Sequence, residues 1–269
     1  MPTVSAIELL LGQLEDLHHA ETQLGVSMHS LSSVASHPGL RHMMVRHLGE
    51  IERQKERIAQ ILTHHGRRLY AGRSVEIEAL VDAARKRLET APDVETVDLV
   101  LVIGCIRIDH YEMGSYEVAA AAISDWIFEH VAYQSGSSDE TSSAVDTLEK
   151  RQGVCRDFAH LAVGFCRAMN IPARYVSVYA DLLQPPDFHA VFEVFVGGMW
   201  YVLDPTRLAP LNGFVRIATG RDAADVSVAT VFGNSAFQSS VVSCVAVDAE
   251  YQHITRDTLA DAGQAIALL

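Results

Sequence analysis

The stretch GVCRDFAHLAVGFCRAMNIPARY (153–175) sets a cysteine directly behind a glycine and in front of a helical apolar pattern. Phe158, Leu161, Ala162, Phe165 and Met169 recur at helical spacing, which predicts a helix beginning at or next to Cys155. Unpaired N–H groups and the macrodipole at a helix N-terminus favour a thiolate. The same N–H groups can hold an oxyanion. Cys166 sits in mid-helix among apolar neighbours and reads as a buried structural thiol.

Downstream, DFHAVFEVFVGGMWYVLDP (187–205) reads as two strands joined at Gly197-Gly198, a two-residue hairpin signal. A two-residue loop sets Val196 opposite Met199 and therefore Val191 opposite Asp204. Alternation puts His189 on the face of Val191, so His189 and Asp204 become diagonal neighbours within side-chain reach. A cysteine nucleophile needs a base in hydrogen-bond reach and a third group to orient that base. Cys155, His189 and Asp204 supply those residue types in chain order.

These residues carry a family resemblance. From about Ala120 to Phe237 the chain resembles the bacterial transglutaminase-like superfamily, a branch of the papain-like cysteine enzymes. The matching pieces are AISDWIFEHVAY, RQGVCRDFAHLAVGFCRAMNIPARYVS, DFHAVFEVFVGGMWYVLDPTR, and RIATGRDAADV with TVFG after it. The resemblance implies a nucleophile at Cys155, a base at His189 and an orienting acid at Asp204. It implies acyl transfer through a thioester at a carboxamide or peptide carbonyl, most plausibly as a peptidase or amidase. A protein-glutamine cross-linker using an amine acceptor, and a non-catalytic peptide-binding scaffold, stand as the alternatives. His160 is expected to be solvated or to cap, and Arg156 and Asp157 to form helix-start salt bridges or loop contacts. Phe188, Tyr175 and Trp200 are expected in the core rather than in the site.

The first 119 residues read differently. Apolar residues recur at helical spacing over Val4–Leu31 (Leu10, Leu14, Leu17, Leu24) and over Leu40–Leu62 (Met44, Leu48, Ile51, Ile58, Ile61). Ser36-His-Pro38-Gly39 separates these two helices, Val75–Leu88 makes a shorter one, and a long helix is predicted from Val94 to about Tyr133. The expected architecture is α+β, with a helical module over 1–119 and a thiol core over 120–269 in which the helix-start cysteine packs on an antiparallel sheet. The helical part resembles a ferritin-like family of small bacterial stress proteins through LEDLHHAETQL (14–24), HLGEIERQKERI (47–58) and IDHYEMGSYEVAA (108–120). The fourth helix that the family would place after Ala120 is missing from the pattern.

Ferritin-like carboxylate sites take a Glu from each of two helices and Glu-x-x-His from the other two. Glu21, the reversed pair His47/Glu50, and Asp109, His110, Glu112 or Glu117 could contribute, but no Glu-x-x-His stands in order. The reading favours a solvated polar face and assigns no metal and no cofactor. Leu99, Val102, Ile106 and Tyr116 are expected to leave an open apolar stripe, which predicts a homo-oligomer held by the helical module.

The chain has 269 residues, 49% of them hydrophobic, enough for one large core or two smaller ones. A net charge of −13 disfavours nucleic acid and anionic membranes as partners, while the transglutaminase-like resemblance implies a peptide or protein substrate. No apolar run is long enough to span a bilayer, and the N-terminus has no signal-peptide pattern. The four cysteines have no CxxC spacing, so reduced thiols in the cytoplasm are expected. In the tail, Phe214–Ala218 and Ser240–Val247 read as strands around the Arg221–Asp225 turn, and Ile254–Leu269 reads as a short helix.

Overall fold

A computed structural model of the chain describes residues 6–70, 72–169, 171–227, 233–234, 238–248, 250–256, 258 and 266. The chain divides into two compact units, Met1–Ala119 and Ala120–Leu269. Mixed helix and sheet follow in that order, a helical module first and a sheet region after it.

The first unit is built from α1 (Ala6–Ser32), α2 (Pro38–His64), α3 (Val75–Leu88) and the first part of α4 (Val94–His130). Pro38 occupies the first turn of α2, where its missing N–H costs nothing. The His37 ring caps that turn by accepting from the Gly39 and Leu40 amides at 3.2 and 3.4 Å. Asp98 of α4 accepts from the Ser36 and His37 amides at 2.8 and 2.9 Å, tying the α1–α2 corner to α4. Ser74 caps α3 by accepting from Ile77 N at 3.3 Å. The apolar stripes of these helices meet in one core of Leu24, Met28, Met44, Ile51, Ile77, Val81, Leu101 and Ile108. Each fully buried Leu or Ile there contributes roughly 1.5–3 kcal/mol relative to exposure. Of the expected open stripe, Leu99 and Ile106 are exposed, joined by Ile103 and Val118. Val102 instead packs against the core and Tyr116 is half-buried, because both lie on the turns of α4 that face inward.

The second unit takes the end of α4, then β1 (Ala132–Tyr133), α5 (Ala144–Lys150), β2 (Gln152–Gly153), α6 (Cys155–Ala168), β3 (Ala173–Ala180), β4 (Phe188–Val196), β5 (Met199–Leu203) and β6 (Phe214–Gly220). β1 and β2 form a short parallel pair with Tyr133 opposite Gly153. The other four strands form an antiparallel sheet in the order β5-β4-β3-β6. Gly197 and Gly198 both have positive φ, 60° and 84°, the backbone that a two-residue primed turn demands. The turn sets Val196 opposite Met199 and Phe192 opposite Leu203. One apolar cluster holds Val176, Val178, Val191, Val202, Leu211 and Phe214. A second joins Ala159 of α6 to Tyr175 and Ala190 of the sheet and to Val226, with Cys155 at its margin.

Two expectations need correction. Ser240–Val247 forms no strand, and Val241 and Val247 stand 96% and 99% exposed. Alternating β-branched residues suit a strand only where a neighbouring edge pairs with them, and none does here. Within the expected terminal helix Arg256 and Thr258 are helical, but Ile266 makes an antiparallel bridge to Val202 instead of a helical turn. Most of the expected helix Ile254–Leu269, the start of the first helix at Val4, the Leu10 side chain and most of TVFG (230–233) lie outside the described residues.

Candidate active site

Cys155 is the first residue of α6, half-buried, and its position is fixed by the residues on either side. Val154 is extended (φ −111°, ψ 179°), and the Asp157 carboxylate reaches back to accept from its amide at 2.8 Å. That carboxylate also accepts from the Ser138 hydroxyl and pairs with Arg156 at 3.2 Å, while Arg156 donates to the Asp139 carbonyl at 2.6 Å. Arg156 and Asp157 thus do both things expected of them. Gly153 is required by the same knot: a Cβ there would lie 2.7 Å from the Asp157 Cβ.

The parallel pairing of β1 with β2 sets Tyr133 beside this helix start, with its ring 5.9 Å from Phe158. Burial, then the Cys155 thiol, push the Tyr133 phenol up to about 12. The sequence pattern alone makes Tyr133 the end of the long helix predicted from Val94, whereas α4 stops at His130. The missed signal was an aromatic residue just past a helix end, which acquires meaning only through the β1–β2 pairing.

His189 stands in β4 and is buried, and its Nε2 lies 3.0 Å from Asp204 Oδ2. Asp204 follows the last residue of β5, and continuing the hairpin register sets it opposite Val191, diagonal to His189. Its other oxygen, Oδ1, accepts from the Thr206 hydroxyl at 2.7 Å and the Thr206 amide at 2.9 Å. The Thr206 hydroxyl also lies 3.4 Å from His189 Nε2. Thr206 therefore steadies both members of the pair, a role the sequence reading missed. The next residue, Arg207, has a left-handed backbone (φ 54°), donates to Asp125 at 2.7 Å and stacks its guanidinium 4.0 Å from the Phe128 ring. The loop that carries Asp204 is held at both ends.

With Nε2 committed to Asp204, His189 Nδ1 is buried without a conventional hydrogen-bond partner. Burial works against a charged ring, but the Asp204 carboxylate, and after it Cys155, outweigh burial and raise the His189 pKa to about 10. Cys155 thus acts on the ring, although no regular hydrogen bond joins its thiol to Nδ1. The raised pKa makes a stability prediction. The pair contributes fully below the ordinary histidine value of 6.5, and its contribution is lost as pH rises through about 10. Unfolding free energy followed by denaturant titration is expected to decline over that window in the native chain and to be flatter in His189→Gln. Parallel pH profiles for the two chains would show that the ring's proton is not held by folding.

The other sequence candidates separate clearly. Cys166 is buried, and burial pushes its thiol up to about 12; burial and then Asp109 push Cys105 up to about 11. Cys244 is raised by burial and then by Asp181. All four cysteines are free. His160 is not solvated, because its Nε2 accepts from Ala223 N at 3.0 Å and its ring lies 5.1 Å from Tyr175. It pins the Arg221–Asp225 turn onto α6, a capping role away from the thiol. Tyr175 is in the core, while Trp200 and Phe188 are half-buried, Trp200 under the Arg174 guanidinium at 3.9 Å. That guanidinium and Arg216 both pair with Glu193, a fully buried carboxylate in β4.

The polar residues of the first unit divide as well. Glu50, His110 and Glu117 are exposed, as a solvated face requires. Glu21 and Glu112 are not: they are 0% and 8% exposed. Burial, then the Glu112 charge, raise Glu21 to about 9, and burial, then Asp109, raise Glu112 to about 7. Helix packing turns these carboxylates inward, where the helical spacing alone leaves them on a wet face. Donor atoms of His47, Asp109 and Glu112 lie within 4.8 Å of one another.

Comparison with known proteins gives a two-part result. Residues 108–205 match the model of the Transglutaminase-like superfamily, a family of cysteine enzymes, and residues 5–134 match that of a Domain of unknown function, DUF892. An uncharacterized protein of Mycobacterium leprae is 34% identical over 118 residues, 40% of this chain and 42% of its own length. Protein YciF of Escherichia coli is 25% identical over 157 residues, 58% of this chain and 89% of its own. A crystal structure from Cytophaga hutchinsonii, described as a candidate cysteine protease, is 53% identical with a TM-score of 0.50, over 51% of this chain and 47% of that one. The chain spans less than half the length of the mycobacterial and Cytophaga proteins that it matches. Among the described residues no helix is long and apolar enough to cross a membrane. The chain thus matches the DUF892 model in its first part and the transglutaminase-like model after it, the two matches overlapping over 108–134.

Proposed function

We propose that this chain is a cysteine hydrolase of amide or peptide bonds that works through a thioester on Cys155. The observation that carries the reading is the buried His189–Asp204 pair, 3.0 Å apart, whose free ring nitrogen Nδ1 has no other conventional partner. A protonated imidazole beside a helix-start cysteine favours the thiolate. The thiolate sulfur attacks the carbonyl carbon, and the oxyanion that forms is met by amide N–H groups at the start of α6. Collapse of this intermediate breaks the C–N bond as His189 gives its proton to the leaving amine. Water then attacks the thioester, His189 takes a proton from it, and the acid leaves as the thiol sulfur departs. Asp204 and Thr206 keep the ring in one orientation through both half-reactions.

The substrate class we assign is a peptide or protein amide, and a net charge of −13 disfavours nucleic acid. A thiol enzyme needs a reducing compartment, which favours the cytoplasm. The exposed residues Leu99, Ile103, Ile106 and Val118 of α4 favour a homodimer through the first unit. Light scattering at tens of micromolar is expected to give twice the chain mass, and a monomer there would end the dimer reading.

The catalytic reading is tested by quenching the chain in acid during turnover of an activated ester or anilide and measuring its intact mass. The expected result is a gain of one acyl group, mapped to Cys155 and released by hydroxylamine. Turnover with no adduct, or an adduct elsewhere, would overturn the covalent route. Incorporation of an added primary amine in preference to water would make the chain a cross-linker.

A further inference from the structure

The ferritin-like fold implies a pair of metal ions held by two carboxylates and two Glu-x-x-His pairs. Among the described residues of the bundle the clustered donors are different, with Glu112 buried, His47 half-buried and Asp109 exposed. His47 on α2 and Asp109 and Glu112 on α4 bring one imidazole and two carboxylates within 4.8 Å of one another. His47 keeps the first half of its turn, with Glu50 three residues later rather than earlier, and Glu50 is exposed. The second histidine of a paired site is missing from this cluster, so the residues present do not fit two ions.

They do not fit an empty hydrophobic core either. Glu112 is 8% exposed and its Oε1 has no hydrogen-bond partner. His47 Nε2 is likewise buried without one, and it stands 3.9 Å from Asp109 Oδ1, too far for a hydrogen bond. On the other side of Glu112, Glu21 is wholly buried on α1 with both carboxylate oxygens unpartnered. Tyr116 lies close enough to perturb Glu21, yet its hydroxyl completes no regular hydrogen bond. Buried polar atoms are nearly always satisfied, and a cluster of unsatisfied ones signals a missing partner. Four of these atoms belong to imidazole or carboxyl groups that ligate metals, two of them on His47 and Glu112, and carboxyl groups that give up their protons on binding select a cation as the partner. Metal–donor bonds of about 2.0–2.2 Å put donor atoms roughly 3–4 Å apart, a spacing that small side-chain rotations reach from the arrangement here. An imidazole with carboxylates and no thiolate suits a first-row divalent ion.

We propose that the helical module binds a single divalent first-row metal ion between α2 and α4 through His47, Asp109 and Glu112, with Glu21 as the buried carboxyl neighbour. The site is mononuclear where the fold's relatives would hold two ions. It stands in the first unit and does not depend on the thiol chemistry of Cys155.

The experiment uses the full chain, stripped with a chelator and dialysed, then titrated with ZnCl2 and separately with MnCl2 by calorimetry, with thermal unfolding of the same samples. At least one of the two salts is expected to give one ion per chain and to raise the unfolding temperature, since a ligand bound only by the folded state stabilises it. His47→Ala and Glu112→Gln are each expected to weaken binding at least about tenfold, and exposed Glu50→Gln to leave it unchanged. Glu112→Gln keeps the side chain's shape; should that chain fail to fold by circular dichroism, His47→Ala and Asp109→Asn carry the test. Failure of both salts to bind, two ions lost together on one substitution, or binding indifferent to His47 and Glu112 would each overturn the proposal. The last result would assign the ion to the surface histidines of this module.

Discussion

A Cys155→Ala chain is expected to release no product from a peptide or amide library that the native chain cleaves, and His189→Ala is expected to match it. In a nucleophile–base pair each member is useless without the other, so either loss alone removes about a million-fold in turnover. The double variant should then be no worse than either single one. Asp204→Asn is expected to fall less far. An asparagine can still orient the ring, as in papain-like Cys-His-Asn sets, but it removes the charge that helps keep the His189 ring protonated. Product identification by mass spectrometry reads all four chains at once. Native-like turnover in Cys155→Ala would remove the thioester from the mechanism, and full activity in Asp204→Asn would remove that carboxylate from the site.

Limiting iodoacetamide at neutral pH is expected to modify Cys155 at least about a hundred times faster than Cys105 or Cys166. The thiolate is the reactive form, and a thiol raised to about 11 or 12 holds about one part in ten thousand or fewer as thiolate at pH 7. Cys244 is the strongest competitor because it is less deeply buried, although its thiol too is raised. Peptide mapping after partial labelling gives the order, and His189→Ala should slow Cys155 alone. Labelling spread evenly over the four positions, or a Cys155 rate indifferent to His189, would remove the activated thiol.

Much of the catalytic half was legible because its geometry rests on short-range rules. A glycine ahead of an apolar helical repeat puts Cys155 on the first turn of α6. The two-glycine turn fixes the β4–β5 register to the residue, and a period of two then brings His189 and Asp204 to one face. The central strand β3 carries no alternation to announce it, because it is buried on both faces between β4 and β6, partners that lie downstream in the chain.

What the sequence by itself determined was therefore the type of the strongly periodic helices and of the β4–β5 hairpin, with the pairing that its tight turn dictates, since periodicity and turn chemistry act within a few residues. Only the tertiary structure decided which polar groups left water. Thr206 takes its place on Asp204 and His189 because the loop after β5 is clamped by Arg207 to Asp125, far away in the chain. Tyr133 reaches Cys155 through a strand pair of two residues. Glu21 and Glu112 look like members of a wet helix face until α1 and α4 pack around them. Ser240–Val247 has every local mark of a strand and lacks only an edge to pair with. Burial and pairing depend on which surfaces meet, and that is a property of the assembled chain rather than of any window along it.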